Sequence, residues 1–114
     1  MRFKKMLLVS ALGVVVLLLS VSHLSFSGTT GKVSGFVRDA ETGDPLPGAN
    51  VVLDGTLMGA ATDMDGYFFI INVPPGKYDL NATMMGYQTQ SAKIVVHVDL
   101  TVKVKFNLKP ILQT

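Results

Sequence analysis

Turn-forming residues at fixed offsets around short apolar runs constrain this chain more than any other feature. Between Thr42 and Tyr67 it reads TGDPLPGANVVLDGTLMGAATDMDGY. Thr42-Gly43-Asp44-Pro45-Leu46-Pro47-Gly48 combines glycines that accept positive φ, prolines of fixed φ, and Thr and Asp side chains that close turns on their own backbone. Asp63-Met64-Asp65-Gly66 repeats the device just before Tyr67-Phe68-Phe69-Ile70-Ile71. A chain broken this often has no room for long helices and reads as a small all-β domain.

Between the turns the apolar residues recur with period two. Tyr78, Leu80, Ala82 and Met84 alternate with Lys77, Asp79, Asn81 and Thr83, and Leu100, Val102, Val104, Phe106 and Leu108 alternate with Thr101, Lys103, Lys105 and Asn107. Both runs predict strands with one buried face. Val33, Gly35 and Val37 mark a first strand, Ala49, Val51 and Leu53 a second, and Gly59 to Thr62 a short third. Tyr67 to Val73 is nearly all apolar, which predicts a strand buried on both faces. Gln88 to Val98 supplies one more, with Ile94 and Val96 inward. Pro74-Pro75-Gly76 separates two of these strands, because proline donates nothing to a ladder. About seven strands in roughly 80 residues, with turn signals about every 8–12, predict an antiparallel Greek-key β-sandwich. Tyr78, Leu80, Val102, Val104 and Phe106 are its expected core. The residues expected to fix its turns are Gly43, Pro45, Gly48, Asp63, Asp65, Gly66, Pro74, Gly76 and Gly86.

The N-terminus belongs to a different category. Arg2, Lys4 and Lys5 precede an apolar run from Met6 to Leu19, and Ser20 to Ser27 then turn small and polar. This is the order of a secretory signal, with cleavage expected near Ser27-Gly28. The run is shorter than the roughly 20 residues that span a bilayer, which weighs against an uncleaved anchor. The expected organisation is a signal peptide over 1–27, one β-sandwich domain over 28–110, and the start of a linker over 111–114. Export is therefore expected, and a membrane would be reached only through an uncleaved signal or through attached sequence.

Removing residues 1–27 also removes three of the ten basic residues and none of the eight acidic ones, so the overall charge of +2 becomes −1. The basic excess thus belongs to the leader, and no basic patch is expected to remain that would argue for a nucleic-acid partner or an anionic membrane surface. The chain has no cysteine, so burial and backbone pairing must hold the domain, at about 25 cal/mol per Å² of apolar area.

Chemistry-bearing residues are sparse. Placing Gly66 at the glycine of a calcium loop puts Ala61 first and Asn72 twelfth, where carboxylate ligands belong, so Asp63 to Gly66 is expected to be a hairpin turn. His97 is the sole histidine beyond the leader and lacks a second histidine or a cysteine with which to form a zinc site or a nucleophile–base pair. Asp39, Glu41 and Asp44 are expected to be solvated loop carboxylates. Tyr67, Tyr78 and Tyr87 could line an aromatic platform, although core packing with hydroxyls at the rim explains them more simply. No catalytic residue, metal or cofactor is expected.

The ordered motifs resemble the carboxypeptidase regulatory-like domain, a transthyretin-like (prealbumin-like) sandwich. They are Gly35-Phe36-Val37-Arg38-Asp39, Thr42-Gly43 with Pro45 to Val51, Gly55-Thr56, Thr62 to Phe68, Val73 to Tyr78, and Gly86-Tyr87. The resemblance implies a non-enzymatic role in folding, docking or interaction. Such domains sit beside metallocarboxypeptidases, in secreted surface proteins, and at the periplasmic N-terminus of SusC-like TonB-dependent receptors. Phe106 to Thr114 resembles the segment that precedes the TonB-contacting motif, plug and barrel of those receptors. The expectation is therefore the N-terminal part of a nutrient-uptake receptor, read as a fragment or made alone, contacting protein partners in the periplasm or outer membrane. A secreted glycan- or peptide-binding module and an accessory domain of a zinc carboxypeptidase are the alternatives.

Overall fold

The structure, a computed structural model, describes residues 28–112; the leader segment expected over 1–27 lies outside the described residues. Seven strands follow one another: β1 (Gly31–Asp39), β2 (Asn50–Leu53), β3 (Gly59–Ala61), β4 (Tyr67–Val73), β5 (Gly76–Thr83), β6 (Gln90–Val96) and β7 (Thr101–Leu108). They form a three-stranded sheet in the order β4-β1-β7 and a four-stranded sheet in the order β3-β2-β5-β6. The expected all-β sandwich is what forms.

The core lies where the inward positions of the two sheets meet. Val33 and Val37 from β1, Val51 and Leu53 from β2, Leu80 and Ala82 from β5, and Phe106 and Leu108 from β7 are buried. Each pair is spaced by two or four residues, as a pleated strand with one wet face requires. Phe68 on β4 and Phe106 on β7 lie on the inner face of the same sheet, either side of β1, with ring centroids 6.3 Å apart. Of the expected core, Leu80 and Phe106 are fully inside, while Tyr78, Val102 and Val104 pack against it half-buried. Leu100 precedes β7 and is exposed.

Two features depart from the sequence reading. The first concerns β4, which is an edge strand with a single buried face. Phe68 is 1% exposed, whereas Phe69 and Ile71 are 58% and 49% exposed. Its apolar run is continuous because the outward face is also apolar, not because both faces are covered. Asn72 at φ 58° adds an irregularity opposite Gly31 to Val33, and the shift brings Val73 back inside.

The second concerns strand direction. β1 pairs antiparallel with β4 but parallel with β7, over Lys32↔Thr101 through Asp39↔Leu108. The turn after β6 carries the chain from one sheet to the other, and Asp99 at φ 60° reverses it there. Asp99 N–H donates to Thr30 O at 3.0 Å, and Lys32 N–H to Leu100 O at 3.0 Å. β7 therefore starts beside the start of β1 and must run the same way. Period-two alternation is identical for either direction, so the sequence pattern carried no sign of it.

Candidate interaction surface

The two turn-rich segments converge on a single residue of β1. Val37 N–H donates to Gly66 O at 2.8 Å, and Val37 O accepts from Leu46 N–H at 3.0 Å. The Asp63–Gly66 turn is closed by its own aspartate, whose Oδ1 accepts N–H bonds from Asp65 and Tyr67, both at 2.9 Å. Gly66 sits at φ 74°, and a Cβ there would lie 2.5 Å from Val37 O. Only glycine fits both the angle and the space. Asp63 Oδ1 is thus engaged with backbone amides, and among the described residues no group of three or more potential metal ligands gathers.

The other expected turn residues fall as follows. Gly43, Gly48 and Gly86 have φ of 77°, 75° and 87°, and Gly76 has φ of 155°. Pro45 bridges to Arg38. Asp65 is exposed in the β3–β4 turn. Pro74 O accepts the Tyr78 hydroxyl at 2.7 Å. Sequence reasoning missed Thr62, which is buried. Its Oγ1 accepts Ala49 N–H at 2.9 Å and donates to Leu46 O, pinning the loop before β2 to the end of β3.

Asp39 is not a solvated loop carboxylate, which corrects the expectation. It ends β1 pointing inward and is 8% exposed. Oδ1 accepts N–H bonds from Glu41 at 2.7 Å and Thr42 at 3.0 Å, and Oδ2 accepts the Tyr87 hydroxyl at 2.7 Å. The Tyr87 hydroxyl, then the Thr42 and Glu41 amides, hold the Asp39 carboxyl below its ordinary range against an opposing effect of burial. The same bond, followed by burial and by the charges of Asp39, Asp44 and Glu41, raises the Tyr87 hydroxyl. Three hydrogen bonds to the ionised carboxylate make Asp39 a clasp between the end of β1 and the loop that bears Tyr87. The loop bearing Tyr87 also receives the chain leaving β7: Gln88 N–H donates to Lys109 O at 2.8 Å and Ile111 N–H to Gly86 O at 2.9 Å.

His97 follows β6 and is exposed, with no other histidine among the described residues. The three tyrosines do not form one platform. Tyr67 lies against Phe36 at 5.3 Å and Phe69 at 6.1 Å between centroids, whereas Tyr78 and Tyr87 are anchored to Pro74 and Asp39 elsewhere.

The surface with the strongest chemical character is the outer face of β4-β1-β7. Pairing sets Phe36 beside Tyr67 and Ser34 beside Phe69 on one side, and Ser34 beside Lys103 and Phe36 beside Lys105 on the other. Tyr67, Phe69 and Ile71 form an apolar row along β4. Lys103 and Lys105 form a basic row along β7, and Lys32 and Arg38 flank Phe36 along β1. The Arg38 guanidinium lies 5.3 Å from the Phe36 ring centre, a cation–π contact. A shallow groove of about 410 Å³ runs between Phe36, Tyr67, Lys103 and Lys105. No carboxylate occupies the outward positions of these three strands. A basic patch therefore does exist, contrary to expectation. Its members are 65 or more residues apart for each Lys32 or Arg38 pairing with Lys103 or Lys105, and only the parallel β1–β7 register collects them. The outer face of the other sheet differs, since there Asp79 pairs with Lys93 and the charges mix.

Comparison with known proteins gives four matches. The family described as CarboxypepD_reg-like domain matches residues 33–113. A TonB-dependent receptor of Formosa agariphila is 35% identical over 109 residues, covering 90% of this chain and 10% of that protein. The TonB-dependent receptor SusC of Bacteroides thetaiotaomicron is 37% identical over 71 residues, covering 62% of this chain and 7% of that protein. The chain thus spans 10% or less of the length of these relatives. Among solved structures, a chain from a type II cohesin–X-dockerin complex of Acetivibrio cellulolyticus superposes with a TM-score of 0.59 at 27% identity, over 70% of this chain and 58% of that one.

Proposed function

The chain belongs to the CarboxypepD_reg-like domain family, and from that premise we propose that it is a non-catalytic periplasmic interaction domain at the N-terminal end of a TonB-dependent outer-membrane receptor for nutrient uptake. One observation carries this reading: 35% identity to such a receptor over 90% of this chain, within 10% of the receptor's length. The leader-like composition of residues 1–27 supports export, with cleavage near Gly28. The chain leaving β7 is fastened to Gly86 and Gln88 by backbone bonds, which would hold a following linker at a fixed point on the domain. The domain's work in this reading is contact with other proteins of the uptake machine, and substrate passage belongs to the barrel.

The test is the location of the protein as the cell makes it. An epitope inserted after Gly28 should appear in the outer-membrane fraction. It should resist protease in intact cells and be cleaved once the outer membrane is permeabilised. Recovery in the cytoplasm, or cleavage in intact cells, would overturn the reading. So would a reading frame downstream of Thr114 without plug and barrel sequence.

A further inference from the structure

We propose that the outer face of β4-β1-β7 docks an acidic amphipathic segment of a partner polypeptide. The inference rests on the reading of this domain as a protein-contact module and names the chemistry of what it contacts.

The argument starts from geometry. Neighbouring strands lie about 4.8 Å apart, so the apolar row on β4 and the basic row on β7 are separated by roughly 10 Å. That is close to the 10–12 Å width of an α-helix with its side chains. A helix lying along the strands sets apolar residues on Phe69 and Ile71 while an adjacent stripe of Asp or Glu reaches Lys103 and Lys105. Lys32 and Arg38 add positive charge at the two ends of β1, and nothing on the face neutralises them. A partner offering only apolar surface would leave these cations unpaired at its rim, and a basic partner would be repelled.

Other occupants fit less well. A second copy of the same face would set lysines and arginine against lysines and arginine. The segment before Gly28 carries three positive charges and no negative one, so it is not the complement either. A sugar ring stacks on an open aromatic face, but the Phe36 ring is half-buried, with the Arg38 guanidinium lying over it. The half-exposed members of the row, Phe69 and Ile71, bring no hydrogen-bonding group. The occupant is therefore an acidic peptide rather than a glycan, and the attraction should be salt-sensitive.

The full chain, purified after export, would be titrated with a fluorescent amphipathic peptide of roughly 20 residues carrying Leu on one face and Glu on the adjacent face. A scrambled peptide of equal composition serves as the control. The expected result is binding of the ordered peptide that weakens at least about tenfold with Lys103→Glu plus Lys105→Glu, and between about 50 and 300 mM salt. Phe69→Ser should weaken it by a similar factor. Lys77→Glu plus Lys93→Glu, on the other sheet, should leave it unchanged. Thermal melts confirm that each variant is folded, and Lys103→Gln plus Lys105→Gln replaces the charge reversal if that protein melts early. No binding, equal binding of the scrambled peptide, or equal loss with the Lys77 and Lys93 pair would overturn the proposal. So would binding only to anionic phospholipid vesicles or to polygalacturonate. The outcome is independent of the fractionation experiment, so a receptor with a different partner and a peptide-binding domain outside a receptor remain distinguishable.

Discussion

The Tyr87 hydroxyl donates a 2.7 Å hydrogen bond to Asp39 Oδ2 across 48 residues of sequence. It ties the β5–β6 loop of one sheet to the last residue of β1 in the other. Asp39 also caps the turn that follows it through two amide bonds, so one carboxylate closes a loop and joins the layers.

This clasp makes stability depend on pH in two directions. Asp39 titrates below its ordinary range in the folded protein, so its contribution is present above the unfolded carboxylate pKa of about 3.9 and is lost as pH falls through the folded value. Tyr87 titrates above its ordinary range, so its contribution is present below about pH 10 and is lost as pH rises through the folded value. Tyr87→Phe should lower the melting temperature most near neutrality, with the gap to the parent closing at both extremes. A gap constant from about pH 3 to pH 11 would show that the bond does not form in solution.

Gly66 and Gly43 have nearly equal φ, 74° and 77°, but different surroundings. A Cβ at Gly43 meets open space, whereas at Gly66 it meets Val37 O at 2.5 Å and Pro45 Cβ at 3.1 Å. Gly43→Ala should cost about 1 kcal/mol in strain alone, and Gly66→Ala clearly more, about 2–4 kcal/mol. Denaturant midpoints of the two variants give the comparison, and equal shifts would contradict it.

Thr62→Val keeps the side-chain shape and removes the hydroxyl that serves Ala49 N–H and Leu46 O in a buried site. Stranding both groups should cost about 2–4 kcal/mol, while Thr62→Ser should recover most of it. A urea titration that fails to separate Val from Ser would mean that packing, not hydrogen bonding, sets this position.

Adjacent phenylalanines of β4 should behave as opposites. Phe68→Ala empties a core site that is 1% exposed and should cost about 3–5 kcal/mol. Phe69→Ala removes only a surface contact with Tyr67, 6.1 Å away between ring centres, and should cost about 1 kcal/mol or less. Similar losses for the two would restore the picture of a strand covered on both faces.

The parts of the molecule legible in the sequence are those fixed by local backbone chemistry. Alternation in Tyr78–Met84 and Thr101–Leu108 reports burial directly, because successive side chains of a strand face opposite ways. Glycine and aspartate in Asp63–Gly66 report a turn because few other residues tolerate its angles. What escaped depends on pairing across the chain. Alternation cannot separate parallel from antiparallel neighbours, so the β1–β7 ladder was invisible, and with it the basic face that Lys32, Arg38, Lys103 and Lys105 make together. Asp39 looked like one of three loop acids, since nothing local distinguishes it from Glu41 or Asp44. Its partner Tyr87 lies in another sheet's loop.

The parallel ladder has a mechanical consequence. The strand that opens the described fold and the strand that closes it run side by side in one direction over eight paired positions, from Lys32↔Thr101 to Asp39↔Leu108. The chain therefore enters at one end of the sandwich and leaves at the other. Tension between those two points slides β1 along β7 and loads their evenly spaced hydrogen bonds together, whereas an antiparallel terminal pair would peel apart one bond at a time. Forced unfolding is governed by the rate of crossing that barrier rather than by equilibrium stability. A domain of modest thermodynamic stability can in this way carry load along its strand axis.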